Sequence, residues 1–109
     1  MDKTYEHPIE VTLNVVCGKW KALILCHLLD RTMRFGELQK KIPKISKKML
    51  AQQLRELEKE QLIEREIFPE VPPKVEYTLT KYGRDLEETL YFMTEWGKEH
   101  RDKFEKSGA

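Results

Sequence analysis

A chain of 109 residues fits one domain whose core suffices to fold with little surplus, so help from a partner subunit is expected. With 36% charged and 39% hydrophobic residues, five Gly and five Pro, it has the composition of a helix-rich globular protein rather than a disordered or fibrous one. No apolar run approaches the roughly 18 residues of a membrane span, and "MDKTYEHPIE" lacks a signal-peptide core, so a cytoplasmic protein with no membrane partner is expected. The net charge of +1 by itself argues against nucleic acid, but its distribution argues for it. Leu38 to Arg55 holds six basic residues and no acid, leaving the rest of the chain at −5.

In chain order, Pro8 and Ile9 open a first helix with Val11, Leu13, Val15 and Val16, stopping near Gly18. Lys19 to Asp30 is apolar on nearly every side, as befits a helix through the middle of the core. "RTM" leads into a short third helix, with Phe35, Leu38 and Ile42 spaced at i, i+3 and i+7 and Pro43 as its stop. After the turn, Ser46 is a good N-cap for a fourth helix from Lys47 to about Gln61, which places Leu50, Leu54 and Leu57 on one face.

Two strands, Leu62 to Phe68 and Lys74 to Thr80, flank the stiff loop "PEVPP". Thr80 caps a long final helix with Tyr82, Leu86, Leu90, Met93 and Trp96 in one stripe, widened by Thr89 and Phe92. Nothing marks a repeat or linker, so a single domain covers 1–109, with a core at about 7–97 and a frayed tail at 106–109.

This order predicts a mainly α fold with a small β-hairpin wing, a winged helix-turn-helix whose fourth helix enters the DNA major groove. At 100° per residue, Lys48, Ala51, Gln52 and Arg55 lie opposite the buried leucines. Arg and Lys donate to guanine, Gln pairs with adenine, and Ala permits close approach or contact with a thymine methyl, so these four are candidate base readers. Ser46 and Lys47, at the helix start, suit phosphate. Lys44 on the flank, with Lys74 and Arg65 on the wing, completes the candidate DNA-binding set.

Bases open this helix while Glu56, Glu58 and Glu60 close it, the reverse of what the helix dipole favours. An ordinary solvated face gives no reason for that order. The apolar stripe of the last helix is wider than one small core covers, so Leu86, Leu90, Phe92, Met93 and Trp96 are expected at a homodimer interface. A symmetric dimer would match palindromic half-sites about one turn, roughly 34 Å, or a multiple apart. The alternative is a winged-helix protein-interaction module without DNA binding, which would expose aromatic or aliphatic side chains where Lys and Gln stand. Neither cysteine nor histidine spacing suits a metal, no cofactor is indicated, and no catalytic constellation points to an enzyme.

The stretches "GKWKALILCHLL", "RFGELQKKIPKISKKMLAQQLRELE", "LIEREIFPEVPPKVEYTLTKYG" and the terminal "WG" resemble the HxlR-type family of bacterial winged helix-turn-helix transcriptional regulators, from about His7 to Gly97. The resemblance implies a dimeric regulator with Ser46 to Arg55 as recognition helix, the "PEVPPK" hairpin as wing, and the terminal helices forming the dimer. Several family members sense electrophiles or oxidants through a cysteine just before the Pro of helix 1. That position here is His7, so thiol sensing there is not expected. Cys17 is the candidate for a displaced redox thiol, a role that requires exposure and a lowered pKa.

Overall fold

The first helix, α1 (Pro8–Val16), starts where a ring fixes φ and an N–H is dispensable. His7 caps it: its Nδ1 accepts from the Ile9 amide at 3.1 Å, and its own amide donates to Glu10 Oε2 at 2.8 Å. The computed structural model describes residues 7–16 and 18–106, so Cys17, the candidate redox thiol, lies outside the described residues, as does most of the tail expected at 106–109. Gly18, at φ +91°, turns the chain into α2 (Lys21–Asp30), which buries Ile24, Leu25 and Leu28. Only a residue without a Cβ takes that left-handed conformation cheaply.

A two-residue strand, β1 (Met33–Arg34), precedes α3 (Phe35–Lys41). It is too short for any alternation of side chains to show in the sequence. Its place is fixed by pairing: Met33 faces Tyr77 and Arg34 faces Glu76. Beside that ladder the Thr32 and Thr78 hydroxyls hydrogen-bond at 2.5 Å. At the head of α3, Glu37 accepts from the Arg34 amide at 2.8 Å and from Arg31 Nη1 at 3.0 Å, and those two bonds, the amide first, hold its carboxyl below the usual range.

The fourth helix, α4 (Lys47–Lys59), begins as expected, with Ser46 Oγ accepting from the Met49 amide at 3.0 Å, and ends two residues early. Gln61 takes φ 64° there and reverses the chain. Strands β2 (Ile63–Phe68) and β3 (Lys74–Leu79) pair antiparallel from Ile63–Leu79 to Phe68–Lys74, giving a three-stranded sheet in the order β1-β3-β2. The wing is therefore a hairpin extended by one short strand.

The expected continuous final helix is broken. Thr80 caps α5 (Lys81–Arg84), accepting from the Gly83 amide at 2.8 Å while its hydroxyl donates to the Gln61 carbonyl at 2.7 Å. The Asp85 and Leu86 amides then bond three residues back, to Tyr82 and Gly83, before α6 (Glu87–Lys106) resumes. This tightened turn interrupts the helical period between Tyr82 and the α6 residues whose stripe it was expected to share. The core gathers Leu38, Ile42 and Ile45 with Leu50, Leu54 and Leu57, the α2 apolar residues, Met33, Ile63 and Leu79, and from α6 only Leu90.

Candidate nucleic-acid interface

With Leu50, Leu54 and Leu57 seated in the core, helical geometry turns Lys48, Gln52 and Arg55 to solvent, and all three are exposed. Ala51 is half-buried between them, while Ser46 and Lys47 are exposed at the helix start. Lys44 stands exposed in the preceding turn, which Gln39 braces by donating from Nε2 to the Ile45 carbonyl. These groups lie together at the N-terminal end and outer face of α4.

Charge pairing divides that helix in two. Among the described residues, no carboxylate lies within salt-bridge reach of Lys40, Lys41, Lys44, Lys47, Lys48 or Arg55. In the acidic half, Glu56 binds Lys21 Nζ at 2.7 Å and Glu58 lies 3.9 Å from Arg65 Nε. Glu56 also accepts from Gln52 Nε2 at 3.2 Å, and the bonds from Lys21 and Gln52 hold its carboxyl below the usual range. Lys21 thus neutralises the acid nearest the outer face and, through it, orients Gln52. Sequence reading missed Lys21, because nothing in the "GKWKALIL" pattern says which distant acid it meets.

The wing is less basic than expected. Lys74 Nζ sits 3.9 Å from Glu70 and 3.8 Å from Glu76 and lies 4.5 Å above the Phe68 ring, so its charge is largely spent within the hairpin. Arg65 is exposed and keeps one carboxylate at the edge of contact. The tip, Pro69 to Pro73, carries no base and leaves Val71 fully exposed.

The α6 stripe separates into two functions. Leu90, at 2% exposure, is a core residue of its own chain, and Leu86 packs half-buried against that core, so Leu90 is not free for a partner. Phe92, Met93 and Trp96 stand 61%, 46% and 64% exposed, joined by Tyr91 and Phe104. Trp96 stacks on His100 at 4.7 Å, and His100 meets Phe104 edge-on at 4.7 Å. Ile9, Val11 and Leu13 of α1 are likewise exposed. Cys26 is half-buried, and burial pushes its thiol up against a lowering hydrogen bond with Thr94, which disfavours the reactive thiolate.

Helix-turn-helix geometry, an unpaired basic face on its second helix, and a following hairpin define a winged helix-turn-helix protein. The HxlR-like helix-turn-helix family matches residues 15–105, and the chain belongs to that family. It is 48% identical over 102 residues to the HTH-type transcriptional regulator YdeP of Bacillus subtilis (strain 168), covering 94% of this chain and 80% of that one. An HTH-type regulator of Methanothermobacter thermautotrophicus is 48% identical over 107 residues, covering 98% and 82%.

Among solved structures, the redox regulator HypR in its reduced form is similar at a TM-score of 0.87 and 46% identity, covering 92% of this chain and 99% of that one. The HTH-type regulator ytcD gives 0.84 and 48%, covering 88% and 98%. The chain is accordingly a transcriptional regulator of helix-turn-helix type, and its relatives are regulators rather than enzymes. Among the described residues, no helix is long and apolar enough to cross a membrane and no cluster of side chains could hold a metal ion.

Proposed function

We propose that the chain is a homodimeric, sequence-specific regulator that binds double-stranded DNA, with α4 in the major groove. The observation that carries this reading is the unpaired basic face of α4 beside acids that are tied back to the protein. Lys48, Ala51, Gln52 and Arg55 read bases; Ser46, Lys47 and Lys44 hold phosphates; Arg65 supplies the main wing contact and Lys74 a weaker one, its charge being shared with two glutamates. The exposed aromatic face of α6 and the apolar face of α1 support pairing of two copies, which would present two recognition helices to a palindromic operator.

The test is selection of bound sequences from random DNA, followed by affinity measurements on the selected site and on scrambled DNA. Gln52→Ala and Arg55→Ala should each cost about 1 to 3 kcal/mol on the selected site and little on scrambled DNA. Unchanged sequence preference in both variants would show that another face reads the bases. Light scattering of the free protein tests the dimer, and Trp96→Lys should shift it to monomer.

A further inference from the structure

A cavity of about 180 Å³ lies where α1, the end of α4, the start of β2 and the α5–α6 turn converge. Val11, Val15, Leu62, Leu86 and the Tyr82 ring give it an apolar lining. Two carboxylates, Glu60 and Asp85, also line it, and among the described residues neither has an ion-pair partner. Lys81 and Arg84 flank Tyr82 and Asp85 in sequence without pairing with either acid. Glu60 is the C-cap of α4, so the negative end of the helix dipole adds to the same field.

We propose that this cavity is an effector site for a small aromatic ammonium ion. The apolar lining accepts the hydrocarbon part, the Tyr82 ring adds an aromatic wall, and Glu60 and Asp85 balance the ligand's charge. A neutral ligand would forgo the charge term, and an anion would meet two carboxylates and a helix C-terminus. The site also has a route to regulation, which rests on the DNA-binding reading above. One part of the lining belongs to the end of α4, whose other end carries Lys47 and Lys48, and another belongs to α1, whose Val11 is also part of the apolar face proposed to pair two copies. A ligand that bridges the two parts fixes the recognition helix relative to the terminal helices, and thereby the spacing of two recognition helices in a dimer.

The probe is benzyltrimethylammonium, compared by calorimetry on the full chain with its neutral carbon isostere neopentylbenzene and with the anion phenylacetate. Saturable binding of one cation per chain is expected, at least about tenfold tighter than either analogue. Glu60→Gln/Asp85→Asn should weaken the cation by about tenfold and leave the neutral analogue unchanged. Both residues are exposed, so this variant should fold, and Val15→Phe, which fills the cavity, gives a second, charge-independent block. Equal affinity for cation and neutral analogue, an unaffected double variant, or no saturable binding would overturn the site. If the cation binds and DNA affinity does not move, the regulatory half is overturned and the site stands. A chain that binds no DNA even without the cation overturns the functional reading, while calorimetry still decides the site.

Discussion

Replacing both Lys47 and Lys48 with Glu should make the protein more stable and a worse DNA binder. The two lysines occupy the first turn of α4, which holds no acid, and both are exposed. A charge at a helix end contributes about 0.3 to 1 kcal/mol, so a reversal counts the term twice; exposure selects the low end, near 0.6 kcal/mol per site. The pair should add about 1 kcal/mol, or roughly 4 °C in Tm for a chain of this size. The Ser46 cap to the Met49 amide involves neither side chain and should survive.

On DNA the sign inverts. Each lost phosphate contact lowers the dependence of log K on log salt by about 0.9, so losing that of Lys47 in each chain removes near 2 from the slope of a dimer, while losing Lys48 removes a base contact. Urea unfolding measures the first effect, and fluorescence anisotropy on labelled operator at several salt concentrations measures the second. A fall in stability would refute the claim that these charges oppose their own helix. An unchanged salt slope would refute the placement of Lys47 against phosphate.

Gly83→Ala should destabilise strongly, because an added Cβ would lie 2.1 Å from the Leu62 carbonyl oxygen, which already accepts from the Thr80 amide at 3.0 Å. Backbone on both sides must shift, at about 2 to 3 kcal/mol, and a melting curve should show a Tm drop of roughly 10 °C. Burial, then Lys41, holds His27 below its ordinary value of 6.5, against a weaker opposing effect of Asp30. The unfolded chain therefore takes up this proton first: the associated stability is complete above pH 6.5 and is lost as pH falls through 6.5 towards the lower folded value. His27→Gln should flatten that part of a stability-against-pH profile, leaving the lower window set by Glu37 and Glu56 in place. Lys21→Met frees the Glu56 carboxylate; since Glu56 is half-exposed, stability should fall by only about 0.5 to 1 kcal/mol, while operator affinity, read by anisotropy, should fall more than non-specific affinity because Gln52 loses its orientation.

Local signals carried most of the fold. Ser46 before an i, i+4, i+7 leucine pattern placed α4, and prolines between two alternating runs placed the hairpin, because caps, turns and periodicity are written in neighbouring residues. What depends on distant partners was not legible. The β1 strand exists because Met33 and Arg34 meet Tyr77 and Glu76. The α5–α6 break depends on how closely Gly83 approaches Leu62, a contact across 21 positions that no window of sequence contains. Lys74 reads as a free wing cation until Glu70, Glu76 and Phe68 are folded around it. Leu90 and Trp96 share a helical stripe, yet one fills its own core and the other faces outwards, a division that the periodicity of the helix does not contain.

The same division between local and distant explains the reversed charges of α4. A helix with bases first and acids last is unfavourable when isolated, and the acids would weaken any approach to a polyanion. The fold resolves the second problem without relieving the first. Lys21 from α2 and Arg65 from β2 take up Glu56 and Glu58, whereas among the described residues no carboxylate lies within salt-bridge reach of Lys47, Lys48 or Arg55. The helix therefore presents net positive charge from its N-terminus through Arg55 and near neutrality beyond. That gradient fixes which end can enter a groove, a constraint on docking direction that the count of lysines alone does not supply. Reversing the gradient requires both partners: placing acids at Lys47 and Lys48 while removing Lys21 should turn the start of the helix negative and free Glu56, leaving Arg55 and Lys59 as its cations, and should abolish DNA binding with the fold intact.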